Sequence, residues 1–594
     1  MIKEAVYHIN TENYIYPIAR NQLVVKIRVA TKDIKECELI FWNRTTPDVK
    51  EKVEMRCRER DQLFDYYQVT ISFPKVARYQ KYYFRLTDTK GKEYFYTSVG
   101  LKEAVPESNF FEFLYANKND VLRIPEWSKG MIYYQIFPER FCNGDKTNDP
   151  ENCEAWGTEP TRTNFMGGDL EGIRSKIPYL NELGIECIYV NPIFKGEFNH
   201  KYATTDYFSI DPIFGTKEDF RLLVEECHQN GIRIVLDGVF NHTGIDFAPF
   251  YDVRKEGANS SYKDWFFVNN YPISISHHDY ECVGAYKYMP KLNTANAEVR
   301  KYILDIMDYW IREFNIDGWR LDVADEVDAT VWQEARAVLK EKYPECLLLG
   351  ETWGFGGKML LGNQMDTVMN YMFCDTMRDY FAYESIPVEE LDHRINRMLA
   401  LYRDEITQGL YNLLDSHDTE RFLFCCGENK SKFLLAVAFQ MTFVGAPAIY
   451  YGDEAGMTGD NDPDCRRCMI WDDHTDENVL NWYKELIQLR KQYKALRYGD
   501  FHTVVVDKIN EVYGFVRIFE EEAIYIIFHR GNETRDIDCP VIGESLLYKD
   551  IFGNNSCSYS RQEKEHQCLN EDIVEYGGVI KVKMEPYSVK VIKN

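Results

Sequence analysis

The chain is short of positive charge. Its 70 Lys and Arg stand against 95 Asp and Glu, a formal net charge of −25 over 594 residues. Nucleic acid and anionic membrane both select a basic face, so neither is expected as a partner. No secretory leader is expected, because Met1 to Asn10 shows no basic segment ahead of an apolar core. The longest apolar run, Phe433 to Tyr451, is broken by Gln440, Thr442, Gly445 and Pro447. It reads as a buried helix followed by a buried strand rather than a membrane span. The sequence has no internal repeat and no low-complexity tract. Its 16 cysteines come without a secretory signal, and Cys465-Arg466-Arg467-Cys468 is a lone CxxC with no second pair nearby. That sets zinc and redox use aside and leads to an expectation of free thiols in a cytoplasmic protein.

Aromatics are plentiful, with 42 Tyr, 35 Phe and 10 Trp. Their faces suit sugar rings, although most such residues fill cores. The length calls for several domains. Residues 1–123 carry short β-branched and aromatic runs (LVVKIRVA, CELIFW, DYYQVTISF, KYYFRLTD) between polar turns, which predicts a β-sandwich. From Gly130, strand-like runs alternate with amphipathic helices, the pattern of a parallel α/β sheet. The runs are MIYYQIF, IECIYVNP, IRIVLDGVF, IDGWRLDV, CLLLGET, DTVMNY, GLYNLLDS and APAIYYGDE, and LEGIRSKIPYLNELG reads as one of the helices between them. The α/β part over 124–498 is expected to be a (β/α)8 TIM barrel, with a small subdomain inserted after its third strand at about 243–292, where no period is visible. Strand patterns return over 499–594 and predict a C-terminal β-sandwich.

Three carboxylates close or follow apolar runs: Asp322 ends FNIDGWRLD, Glu351 ends CLLLGE, and Asp418 follows LYNLLDSH. A barrel collects the C-terminal ends of its strands at one face. Retaining glycoside hydrolysis needs two carboxyl groups about 5–5.5 Å apart. Arg320, two residues before Asp322, falls on the same side of its strand. Its cation would keep Asp322 ionised; a purely structural ion pair is the competing reading. Asn143-Gly-Asp145-Lys-Thr-Asn148-Asp149, with Gly167-Gly-Asp169 downstream, is rich in hard oxygen donors of the kind Ca2+ takes, and a metal-free turn is the alternative.

Four segments resemble the four short motifs of the α-amylase superfamily, glycoside hydrolase family 13. They are Asp237-Gly-Val-Phe-Asn-His242, Gly318-Trp-Arg-Leu-Asp-Val-Ala324, Gly350-Glu-Thr-Trp353 and Asp415-Ser-His-Asp418, in family order and at the ends of expected strands. His200-Lys-Tyr202, Met289-Pro-Lys-Leu-Asn293, Gly452-Asp-Glu-Ala-Gly-Met457 and Asn461-Asp-Pro463 resemble the neopullulanase, cyclomaltodextrinase and maltogenic amylase branch. The resemblance implies Asp322 as nucleophile, Glu351 as acid/base and Asp418 as the third carboxylate, holding sugar hydroxyls and steadying positive charge. It implies that His242 and His417 donate to the same ring, that Tyr202 stacks on it, and that Asp462 and Arg466 contact substrate near the cleft. Asp237 and Asn241 read as supports. Burial of Glu351 near Trp353 would raise its pKa as an acid requires.

The resemblance further implies structural Ca2+ on Asn143, Asp145, Asn148, Asp149, Gly167 and Asp169. It implies an α-glucan oligosaccharide substrate and a homodimer in which one subunit's first domain covers the other's cleft. The implied activity is retaining hydrolysis of α-1,4-glucosidic bonds in cyclodextrins, maltodextrins or pullulan, with some transglycosylation and α-1,6 cleavage left open. An exo-acting α-glucosidase or glucosyltransferase would use the same acids. A catalytically dead binding protein is opposed by their presence. Asp325, Thr352 and Gly354 stand where the branch usually has Asn, an aliphatic residue and His. These departures spare the hydrolytic chemistry and bear on substrate preference.

Overall fold

Eight short parallel strands form a single sheet in the computed structural model, which describes residues 1–11, 13–277, 279–471, 474–542, 548–552, 558–560 and 576–594. They are β1 (Tyr133–Ile136), β2 (Cys187–Val190), β3 (Arg233–Gly238), β4 (Gly318–Leu321), β5 (Leu347–Gly350), β6 (Thr367–Val368), β7 (Tyr411–Leu413) and β8 (Ala446–Tyr450). The order across the sheet is β6-β5-β4-β3-β2-β1-β8-β7. A parallel bridge between Met369 and Tyr411 joins the two edges and closes the barrel. Each of the eight sequence runs supplies one strand. Their near-continuous apolarity has a physical cause, since a parallel sheet is buried on both faces. Tyr133, Cys187, Tyr189, Val235, Leu347, Leu349, Tyr411 and Leu413 fill the barrel interior.

The surrounding helices follow from capping and period. Thr216 and Asp219 form a capping box at the start of Lys217–Gln229, which buries Phe220, Leu223, Val224 and Cys227 along one stripe. Asn296 caps Ala297–Phe314, which buries Val299, Ile303, Ile306, Met307 and Trp310. LEGIRSKIPYLNELG is not one helix but two, Leu170–Ser175 and Ile177–Leu183, broken at Lys176. Pro178 explains the break: it has no N–H for the preceding turn, whereas at the start of a new helix none is needed. The buried run from Phe433 divides as expected into helix Lys430–Thr442 and strand β8. No helix among the described residues is long and apolar enough to cross a membrane.

The subdomain after β3 holds more order than its sequence suggests. Helix Ala248–Glu256 has Pro249 in its first turn and ends at Gly257, where φ is +59°. The antiparallel bridge His242–Lys291 ties the two ends of the segment together, and Phe266–Leu292 fastens its middle to the second end.

Ile124–Glu384 and Gln408–Gly499 make one compact unit, and Met1–Arg123, Ser385–Thr407 and Asp500–Asn594 make another. In the second unit the N-terminal part is a sandwich of two antiparallel sheets, with Leu23, Val25, Ile27, Leu39, Phe41, Phe84 and Leu86 between them. The C-terminal part forms a five-stranded and a three-stranded sheet around Val516, Tyr525, Ile527, Ile580 and Val582. All 14 described cysteines are free thiols.

Candidate active site

The C-terminal ends of β3, β4 and β5 converge on a buried cation. In the parallel register Asp237 of β3 lies beside Arg320 of β4. Arg320 is 0% exposed and its Nη1 donates to Asp237 Oδ1 at 3.0 Å and to Asp322 Oδ1 at 2.8 Å. Its Nη2 lies 2.8 Å from Glu351 Oε1 as an ion pair, without hydrogen-bond alignment. One guanidinium thus bridges the carboxyl groups that end β4 and β5. The backbone fixes the height of both, since Asp322 N–H donates to Gly238 O at 3.1 Å and Glu351 N–H to Leu321 O at 2.9 Å.

Burial acts against the charge on these acids. It pushes the Asp322 carboxyl well above the usual range, the neighbouring Glu351 carboxylate adds to the rise, and Arg320 opposes it. Burial also raises Glu351, again opposed by Arg320. The expected direction at Glu351 therefore holds. Trp353 is 54% exposed and stacks on Tyr371 with ring centroids 4.2 Å apart.

A second chain of contacts orients His417 and Tyr202. Gln135 Nε2 lies 2.7 Å from His417 Nδ1 and donates to Asn191 Oδ1 at 3.0 Å. An amide nitrogen only donates, so His417 carries its proton on Nε2. That nitrogen is 2.6 Å from the Tyr202 hydroxyl and 3.1 Å from Asp418 Oδ2. Tyr202 in turn donates to Asp237 Oδ2 at 2.8 Å and accepts from Asn191 Nδ2 at 2.8 Å. Its ring lies parallel to His417, 4° apart in plane. Burial, with Arg466 and Arg320 nearby, holds the His417 pKa well below its ordinary value, so the ring is neutral. Burial likewise depresses His242 to about 3, and neither of its ring nitrogens is in an aligned hydrogen bond among the described residues.

Asp418 is the most open of the three acids. Its Oδ1 lies 3.1 Å from Arg466 Nη2, and Arg466 Nη1 lies 3.0 Å from Asp462 Oδ1. Asn241 accepts from Lys291 Nζ at 2.6 Å, and the same ammonium reaches Glu326 at 3.0 Å. Gln135, Asn191 and Tyr189 were missed by sequence reasoning. Tyr189 donates to Asp237 Oδ2 at 2.5 Å. Each is a polar residue in, or just after, an apolar barrel strand, and that was the signal available.

In the oxygen-rich loop, Asn143 Oδ1 and Asn148 Oδ1 are buried without a hydrogen-bond partner among the described residues. Asn143 Nδ2 donates to Asp149 Oδ1 at 2.7 Å. Gly167 has φ +80°, and a Cβ there would meet Asp149 Oδ1 at 2.3 Å and Asn143 Nδ2 at 2.4 Å. Asp169 instead accepts from the N–H groups of Gly144, Asp145 and Gly172, and Asp145 accepts from Thr147. No three of His, Cys, Asp and Glu gather in a metal-binding group among the described residues. A cation here would therefore rest mostly on amide and carbonyl oxygens, donors that suit Ca2+.

Residues 135–477 match the alpha amylase catalytic domain and residues 1–117 the alpha amylase N-terminal ig-like domain. The chain belongs to the α-amylase family. It is a glycoside hydrolase of that family. The chain is similar to a cyclomaltodextrinase of Thermoanaerobacter pseudethanolicus, 43% identical over 544 residues, covering 90% of this chain and 94% of the relative. Neopullulanase 2 of Thermoactinomyces vulgaris is 41% identical over 544 residues, covering 90% and 92%. A solved cyclomaltodextrinase structure matches with a TM-score of 0.93 at 36% identity, covering 100% of both chains. The α-amylase barrel thus carries Asp322, Glu351 and Asp418 on three strand ends, with the first two on one buried arginine.

Proposed function

We propose that the protein cleaves α-1,4-glucosidic bonds in cyclodextrins and short maltodextrins with retention of configuration. The bridging of Asp322 and Glu351 by Arg320 carries this reading, because it keeps two carboxyl groups with raised pKa close together in one polar site. An Asp322 oxygen attacks the anomeric carbon while Glu351 gives its proton to the departing glycosidic oxygen. The Glu351 carboxylate then takes a proton from water, the water oxygen bonds to the anomeric carbon, and Asp322 leaves. Asp418 and His417 are suited to the sugar hydroxyls, the neutral imidazole donating from Nε2. His242 has ring nitrogens to offer to the same ring, Tyr202 gives it an aromatic face, and Asp462 and Arg466 extend the polar wall. The names of the relatives support cyclodextrin and pullulan as substrates. Free thiols at all 14 described cysteines support a cytoplasmic setting.

The same reading includes a homodimer whose N-terminal domains narrow the partner's cleft, favouring small cyclic glucans over starch by steric exclusion. Products from cyclodextrin, pullulan and starch should be separated by chromatography, for the intact enzyme and for a protein lacking residues 1–123. Ring opening of cyclodextrin is expected, and an exo-acting enzyme would leave it untouched. The folded truncated protein should gain on starch relative to cyclodextrin. An unchanged ratio, or an intact enzyme monomeric at assay concentration, removes the dimer from the proposal.

Ca2+ completes the reading. Asn143, Asn148, Asp149 and the Gly167 carbonyl would hold it, with Asp145 and Asp169 bracing the loop through backbone hydrogen bonds. When bound it supplies charge that fixes the loop after β1 and takes no part in bond cleavage. Saturating Ca2+, at about 100 times its Kd, should raise stability by about 2.7 kcal/mol by mass action. A strong chelator should therefore lower the melting temperature, and an unchanged melt with no metal by elemental analysis rejects the site.

A further inference from the structure

Val323, the residue after the proposed nucleophile, has φ +44°. A β-branched side chain rarely enters that region unless surrounding contacts hold it there. Contacts to the ends of β3 and β5 and to Trp332 hold it there. Three consecutive N–H groups are directed outward: Asp322 N–H to Gly238 O at 3.1 Å, Val323 N–H to Glu351 Oε2 at 2.9 Å, and Ala324 N–H to Glu351 O at 3.2 Å. Thr352 Oγ1 donates to Asp325 Oδ2 at 3.0 Å, and Trp332 Nε1 donates to Ala324 O at 2.8 Å. Other turns carry a positive φ on a non-glycine residue, but here the turned N–H is spent on a buried carboxyl at the chemical centre.

We propose that the Val323–Asp325 turn, anchored by the Thr352 hydroxyl, positions the Glu351 carboxyl for proton transfer. This rests on the reading of Glu351 as acid/base. Thr352 and Asp325 do not touch the carboxyl. They are positioning residues, acting through the Val323 N–H that holds Oε2 and leaves Oε1 beside Arg320. The other groups facing Glu351 are Asp237, Asp322, Asp418 and the Tyr371 hydroxyl. A backbone N–H bonded to a carboxylate favours the ionised form. Loosening the turn therefore raises the acid's pKa and moves the basic limb of the rate profile to higher pH. It also aims the proton badly, which matters only where the leaving group needs one.

The experiment compares two substrates across full-length variants. Cyclodextrin expels a sugar alkoxide and needs the proton; 2,4-dinitrophenyl α-maltoside expels a stable phenolate and does not. Thr352→Val should lose about tenfold in kcat/KM on cyclodextrin, a misplacement effect, while staying within about twofold of the parent on the aryl maltoside, with the basic limb moved upward. Thr352→Ser keeps the hydroxyl and Asp325→Asn keeps the acceptor, so both should behave as the parent. Asp325 is exposed, so its freed oxygen in Thr352→Val is rehydrated and the fold is spared. Equal losses on both substrates, an unmoved pH profile, or Thr352→Ser as poor as Thr352→Val would overturn the proposal. Glu351→Gln serves as the control. If it lacks the leaving-group dependence, the acid assignment fails and the clamp with it. If it has the dependence and Thr352→Val does not, the clamp alone fails.

Discussion

Asp322→Asn is expected to lower kcat by about 10⁴-fold or more, because no covalent intermediate can then form. Glu351→Gln is expected to lose about 10²–10⁴-fold on glucans, the worth of a placed general acid. Neither should unfold the protein. Burial already raises both carboxyl pKa values, so a neutral amide is no worse a guest in that site than a carboxylate. A group whose folded pKa is raised adds stability that is fully present below its unfolded value, about 4 for a carboxyl. That contribution is lost as pH rises through the folded value. Melting temperatures of Asp322→Asn and Glu351→Gln should therefore match or exceed the parent, and the gap should widen toward alkaline pH. Near-normal turnover in either variant would remove the proposed mechanism. Proton NMR of the first turnovers should show the α-anomer, and an initial β-product would mean inversion.

Arg320→Met should be the most damaging single change to the site as a whole. The guanidinium is fully buried and serves Asp237, Asp322 and Glu351 together. Removing one member of a buried charge cluster typically costs about 3–5 kcal/mol, because the partners are left uncompensated. The remaining carboxyls would then rise further in pKa, toward the protonated form. The nucleophile would be lost without its own residue being touched, and any residual activity would have its acid limb moved to higher pH. Arg320→Lys should not rescue, since an ammonium cannot span three carboxyl groups as a planar fork does. Urea unfolding gives the stability change and kcat/KM against pH gives the shift. More than about one-tenth of parental activity in Arg320→Lys, a loss below about 1.4 kcal/mol in transition-state stabilisation, would show that the fork geometry is dispensable.

Much of this architecture was readable because its causes are local. A buried parallel strand is an apolar run, so IRIVLDGVF and CLLLGET announced β3 and β5 without any knowledge of their neighbours. Helix stripes and caps, such as Thr216 with Asp219, are also short-range signals. The acids were visible because each follows such a run, and an acid at that position is unfavourable unless the strand end has work for it. Where local signals conflict, sequence reasoning failed: the period of LEGIRSKIPYLNELG is helical throughout, yet Pro178 starts a new helix.

By itself the sequence determined the succession of elements, the eight-stranded barrel and the identity of the charged residues at its strand ends, all consequences of period, capping and composition along a few turns of chain. Only the tertiary structure decided which of them meet. That Asp237 lies beside Arg320 follows from the register of β3 against β4, set by long-range packing. That Gln135 and Asn191 fix the His417 tautomer depends on β1 and β2 facing the loop after β7 across the barrel mouth. That Val323 turns left-handed to face Glu351 is decided by the end of β5, because no residue near Val323 in sequence favours that conformation. Pairing between strands is a property of closure, and closure cannot be read from any one segment.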